Sequence, residues 1–260
     1  MNIIKNPYRI IDFYYNRTQR KQCDSTEYDQ ENVINTISDL LSIDKIDIYE
    51  YYAETLIIQE DIKNKIENLA RMGTMDMDAI ILYILIRGIK ANKIVETGVA
   101  NGASTYYILS AIKKNGGKGH LYSIDMPYHE IIDQKDILRR IGISSKDETR
   151  FGGVIPIGKK IGWLVPEKLR VYWSLFLGDS KKILPKLLSD LGNIDIFNHD
   201  SHHSYRHMSF EYSVNWNHLS EGGLLCSHDI LQNYAFDDFV KKNDINRYIK
   251  IGNFGCCIHA

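Results

Sequence analysis

Residues 198–205 read NHDSHHSY and follow the apolar stretch IDIF. An aspartate with histidines two and three positions on, just past an expected strand, can bind a metal, exchange a proton, or belong to a polar loop. Asp200, His202 and His203 are the residues at issue. A second segment, VETGVANGAST, runs from an apolar β-branched stretch into a helical pattern, with Gly98 and Gly102 spaced GxxxG. It lacks the middle glycine of GxGxxG, which lets a dinucleotide pyrophosphate approach the backbone, so a nicotinamide or flavin dinucleotide is disfavoured. No GxxxxGK[ST] occurs either, which disfavours a P-loop nucleotide site.

These residues need elements to hold them. KIVE (93–96), HLYSID (120–125), VYWSLFL (171–177), IDIF (194–197) and GLLCS (223–227) read as strands. Helical patterns fall between them: STYYILSAIKK (104–114), residues 183–190, and a segment from Ser204 to Leu219. RYIKI, GNFG and CCIHA read as two strands about a turn. The expected fold is therefore α/β: a Rossmann-like, doubly wound, mostly parallel sheet with a C-terminal antiparallel hairpin. Residues 1–75 read as an N-terminal helical cap, from stripes such as Val33, Ile37, Leu40 and Leu41. Residues 76–260 then form the ligand-binding domain. Asp76 or Asp78 is the expected N-cap of a buried helix through AIILYILIRGIK.

Ligands of open α/β sheets bind beyond the carboxyl ends of the strands. Glu96, Asp125, Asp179, Asp200 and the pair His228–Asp229 all fall there. Gly98 and Gly102 would let a ligand approach the backbone, while Ser104 and the helix N-terminus hold a carboxylate. Asp125 is placed to accept from two ribose hydroxyls, Asp179 to meet an adenine amino group, and Glu96 to meet an ammonium. A ligand with a carboxylate and a ribose, and no phosphate, suits this set.

VETGVANGAST, YSIDMP, LGDS, IDIFNHDSHHSY and EGGLLCSHDI resemble the successive motifs of class I S-adenosylmethionine-dependent methyltransferases. The likeness is to the small-molecule O-methyltransferase branch with a D-x-x-H-S-Y motif, and it covers residues 76–259. It implies S-adenosyl-L-methionine bound by Glu96, Gly98, Gly102, Ser104, Asp125 and Asp179. The metal-dependent members that this chain resembles imply a divalent ion, Mg²⁺ or Mn²⁺, at Asp200, His228 and Asp229. His228 departs from their oxygen ligands and favours manganese, iron or zinc over magnesium. His203, with Asp200 beside it, is the expected general base, since histidine titrates near neutrality. The implied reaction is methylation of a small hydroxylated molecule, a sugar or secondary metabolite. Transfer without a metal to oxygen or nitrogen, a non-catalytic S-adenosylmethionine-binding protein, and a metallohydrolase at HDSHHS stand as alternatives.

The bulk properties narrow the partners. With 32 basic and 33 acidic residues the net charge is −1, so neither a nucleic-acid surface nor a polybasic membrane anchor is expected. The longest apolar run, Ala79–Ile86, is too short to cross a bilayer. MNIIKNPYRIIDFYY lacks the features of a secretory signal, and four cysteines without CxxC spacing suit a reduced, cytoplasmic setting. A small-molecule acceptor is the expected partner, with a homo-oligomer open. His199, His207, His218 and His259 read as loop or surface residues. Tyr205, Met208 and Tyr212 read as helix packing, with Glu211 a residue of the same helix. Residues 126–170, rich in Gly and Pro, read as a lid or insertion, with one helix in HEIIDQKDILRRIG and with Tyr128 and Trp163 placed to line an acceptor pocket.

Overall fold

The structure, a computed structural model, describes residues 29–66, 77–126, 155 and 159–260. The helix expected in HEIIDQKDILRRIG, Tyr128, and most of the 126–170 insertion lie outside these residues, as do the first 28 positions. In chain order the elements are α1 (Gln30–Leu41), α2 (Lys45–Ile66), α3 (Met77–Ile89), β1 (Lys93–Thr97), α4 (Ala103–Lys114) and β2 (His120–Asp125). Then come β3 (Trp173–Leu177), α5 (Ser180–Leu191), β4 (Ile194–His199), α6 (Tyr205–Trp216), β5 (Leu219–Ser227), α7 (Ala235–Lys242), β6 (Tyr248–Ile251) and β7 (Phe254–Ile258). A 3₁₀ turn, Glu167–Tyr172, takes the first residues of the expected strand VYWSLFL, which begins instead at Trp173.

The seven strands are ordered β3-β2-β1-β4-β5-β7-β6. Strands β1 to β5 pair in parallel, whereas β7 pairs antiparallel with both β5 and β6. The doubly wound sheet with its antiparallel hairpin is thus the fold expected from the sequence. Strands covered on both faces need adjacent apolar residues, one for each side. Ile94, Ile196, Leu224 and Cys256 face one core with α1 to α4, while their neighbours Val95, Phe197, Leu225 and Cys257 face the other with α5 to α7. Residues of α1 and α2, including Val33, Ile37, Ile48 and Ile62, belong to the first of these cores. Cys226, Cys256 and Cys257 are buried free thiols. No described helix is long and apolar enough to cross a membrane.

The chain runs outward from β1 in one direction through β2 to β3, then returns to lay β4 on the other side of β1. That reversal leaves a crevice at the carboxyl ends of β1 and β4, the usual ligand position in such sheets. Here Asp200 N donates to Thr97 O at 2.8 Å. Gly98 has φ +87°, and a Cβ placed on it would lie 2.0 Å from the Asp200 carbonyl oxygen. The glycine therefore admits the chain's own backbone. Gly116 also has a positive φ, +95°, but nothing lies within 4 Å of an added Cβ there. Gly98→Ala should lose at least about 2 kcal/mol more stability than Gly116→Ala, because overpacking adds to the backbone cost that both share. Urea midpoints of the two variants measure this, and equal losses would refute it.

Candidate functional site

The turn after β1 is held from two sides. Asp125, at the end of β2, accepts from Val99 N at 3.0 Å and Ala100 N at 2.7 Å through one oxygen. From the other side, Gly162 N donates to Ala100 O and Leu164 N donates to Asn101 O. Ala100 itself is in the left-handed region at φ 47°. Gly102 has φ +85°, and a Cβ there would lie 2.7 Å from Gly162 Cα. Trp163 packs against the turn: its Nε1 donates to Asn101 Oδ1 at 2.8 Å, and its ring lies against the cluster of Val99 and Ile161. Asp179 is the N-cap of α5 and accepts from Lys181 N.

Beneath the turn, Glu96 is fully buried and accepts from Ser104 Oγ, Thr105 Oγ1 and Ser123 Oγ at 2.8, 2.8 and 2.7 Å. Burial pushes its pKa up to about 7, although the three hydroxyls pull the other way. Ser104, expected to hold a ligand carboxylate, thus spends its hydrogen on Glu96.

Across the crevice the ends of β4 and β5 bring Asp200, His203 and Asp229 together, with one potential ligand atom from each lying within 4.8 Å of the others. His203 stands between the acids, its Nε2 3.5 Å from Asp200 Oδ1 and its Nδ1 3.4 Å from Asp229 Oδ2. Asp229 holds φ 57°, an unusual value for a non-glycine residue, and Asn253 Nδ2 from the β6–β7 turn donates to its Oδ1. Burial alone would raise the Asp200 pKa, but positive His228 and the neighbouring His203 hold it below the usual range.

His228, the third residue of the expected ligand set, has a different neighbour. It is not part of the Asp200–His203–Asp229 group; its Nδ1 instead lies 3.1 Å from Asp78 Oδ2, and both side chains are buried. Burial would push its pKa down, yet Asp200, the bond to Asp78 and Asp229 together raise it to about 9. Asp78 is correspondingly no helix N-cap: it lies within the first turn of α3.

Two of the histidines read as loop or surface residues, His199 and His207, are a correction. His199 is wholly buried and its Nδ1 lies 2.6 Å from Glu211 Oε2, while His207 Nε2 lies 2.8 Å from Glu211 Oε1. Thr97 Oγ1 donates to the same carboxylate at 2.6 Å, and Ser201 Oγ at 3.1 Å. Burial would raise the Glu211 pKa, but His199 and His207 hold it well below the usual carboxylate range. His202 is exposed and its Nδ1 accepts from Ser204 N, so it serves the turn before α6. Met208 and Tyr212 are buried packing residues of α6, as expected.

A family model described as a methyltransferase domain matches residues 95–230, just over half of the chain. The chain belongs to this methyltransferase family. It is accordingly an S-adenosylmethionine-dependent methyltransferase, the enzyme class implied by the motifs. No match was found among curated proteins. Several solved structures are similar. An O-methyltransferase from Bacillus cereus in complex with SAH is 12% identical with a TM-score of 0.48, over 87% of this chain and 96% of that one. The O-methyltransferase TomG from Streptomyces achromogenes, involved in tomaymycin synthesis and bound to SAM, is 11% identical with a TM-score of 0.47, over 96% of each chain. The methyltransferase MycE from the mycinamycin pathway, in complex with Mg, SAH and mycinamycin VI, is 14% identical with a TM-score of 0.41, over 66% of this chain and 46% of that one.

In this methyltransferase, the matched span runs from within β1 to the residue after Asp229, so it contains both halves of the crevice. Two residues that serve the crevice were not singled out from the sequence, Asn253 and Asn101. Glu211 was noted only as a helix residue, although its i,i+4 spacing from His207 is a visible signal of a side-chain pair. Glu96 yields a test by its titration. Its folded pKa of about 7 exceeds the usual 4.5 for a glutamate, so its contribution is fullest below about pH 4.5 and is lost as pH rises through 7. Compared with Glu96→Gln, the wild-type chain should lose on the order of 3 kcal/mol of relative stability between pH 4.5 and 8. Chemical denaturation at a series of pH values measures the difference, and a pH-independent gap would contradict the assignment.

Proposed function

We propose that this methyltransferase is an O-methyltransferase for a small hydroxylated molecule, with S-adenosyl-L-methionine as donor, a divalent cation at Asp200 and Asp229, and His203 as general base. The carrying observation is the placement of His203 between two carboxylates at the switch point of the sheet. A polar ligand fits this crevice for a further reason. Asn198 Nδ2 and Oδ1, His199 Nε2, His203 Nε2 and His228 Nε2 are buried without a hydrogen-bond partner. Such groups cost free energy unless something completes them.

S-adenosyl-L-methionine would supply an electrophilic methyl group on sulfur, and the residues from the sequence motifs would hold it: Glu96 under the turn, Gly98 and Gly102 within it, Ser104 behind it, and Asp125 and Asp179 at the next strand ends. The spacing of the acidic pair and His203 fits a divalent ion such as Mg²⁺ or Mn²⁺, which would lower the pKa of an acceptor hydroxyl and orient a vicinal diol. A ring nitrogen that ligates a cation cannot also take a proton. We therefore assign the carboxylates to the cation and His203 to the acceptor's proton. Asp200 and Asp229 then stabilise the imidazolium that results. The protein's main task is orientation, since displacement at the methyl carbon requires the acceptor oxygen in line with the departing sulfur.

One observation favours a second reading without metal. His228, kept positive by Asp200 and Asp78, already places a cationic group beside Asp200, and His203 would then act alone as base on oxygen or nitrogen. Mass-spectrometric methylation of a vicinal-diol panel with and without EDTA separates the two. The first reading expects turnover abolished by chelator and restored by Mg²⁺ or Mn²⁺, with Asp229→Asn sharply impaired. Chelator-insensitive turnover with a fully active Asp229→Asn selects the second. In either case His203→Ala should lower kcat by about 100-fold or more. Absence of S-adenosylmethionine binding by calorimetry would refute both.

A further inference from the structure

Glu211 takes no part in the reaction proposed above, yet it is a fully buried carboxylate at the centre of the molecule. An acid is kept charged in such a place only by strong hydrogen-bond donors. Its donors come from three elements that come together at the crevice: β1, the end of β4 and α6. Thr97 ends β1; His199 ends β4 and Ser201 follows it; His207 lies one turn before Glu211 on α6. Asp200 lies between His199 and Ser201 in sequence, and both of these neighbours are tied to the one carboxylate. His203 follows two residues later, its ring meeting that of His199 edge-on at 5.3 Å between centroids.

We infer that Glu211 is a positioning residue, whose carboxylate clamps the 199–203 segment to β1 and so sets where Asp200 and His203 stand. This rests on the assignment of those two residues to the reaction. It is not a proton relay of its own. In a serine–histidine–acid triad the serine and the acid engage opposite ring nitrogens. Here Ser180 Oγ, Ser201 Oγ and Glu211 Oε1 all approach the same atom, His207 Nε2.

The charge matters more than the shape. A carboxylate only accepts, so it can take all four donors together, whereas a glutamine amide presents hydrogens of its own to at least one of them. Glu211→Gln keeps the volume and turns one arm of the clamp against its partner. The helix remains, since α6 is also packed through Met208 and Tyr212.

The test uses the full chain labelled with ¹⁵N-histidine, alone and with S-adenosylhomocysteine. In Glu211→Gln the ring signals of His199 and His203 should both move or broaden, while amide spectra of α3 and β6 stay as in wild type. With any acceptor that the wild type methylates, kcat should fall at least 10-fold, with the acceptor KM and S-adenosylhomocysteine affinity within threefold. Glu211→Asp, which keeps the charge, should recover part of that loss. Unchanged His203 signals would overturn the inference. So would a kcat loss in proportion to the folded fraction, with cofactor affinity falling alongside. A wild-type chain that methylates nothing would defeat the proposed function, and the ring signals of His203 would still decide the role of Glu211.

Discussion

The backbone of Asp200 passes over the turn after β1 so closely that residue 98 has no room for a side chain. Its amide is bonded to Thr97 at 2.8 Å, so the ends of the two central strands are joined by backbone before any functional side chain is considered. The rest follows from that junction. It sets the acidic end of β4 against the glycine turn, and a short reach across to β5 then brings Asp229 to the other side of His203. A sheet that reversed direction elsewhere would put these groups at different strand ends.

Around the junction, electrostatics are settled by layers of partners. The outer acids face one another across a histidine. Behind them lie two buried pairs of different character: His228 with Asp78, where the histidine is held protonated, and Glu211 with His199, where the histidine is not. The difference has a physical source. Asp200 and Asp229 add to Asp78 in favouring the His228 cation, whereas burial outweighs Glu211 at His199 and keeps that ring neutral. Neutral His199 then has one N–H to give, and its short contact to Glu211 shows where that hydrogen goes.

Much of this was legible in the sequence because it is written in neighbouring positions. Paired apolar residues such as Ile94–Val95 and Ile196–Phe197 announce strands buried on both faces, and the polar residues that follow them announce the strand ends. Asp200, His203 and Asp229 were found by that rule. What it could not supply is the partner chosen across a long stretch of chain. Asp78 reads equally well as a helix cap until β5 places His228 over it. His199 and His207 read as polar residues until α6 turns Glu211 toward them. His228 and Asp229 show the same limit: adjacency in sequence put two side chains at one strand end, and the pleat and a left-handed Asp229 sent them to different neighbours.

The β6–β7 hairpin adds a constraint of another kind, on the order in which the molecule is assembled. β7 lies between β5 and β6, so the final strand of the sheet enters beside a strand made some 30 residues earlier. Asn253, in the turn before it, is the residue that grips Asp229. The crevice can form from β1 to β5 while the chain is still emerging, but Asp229 gains its support only when the hairpin has inserted. The setting of Asp229 is thereby tied to completion of the sheet.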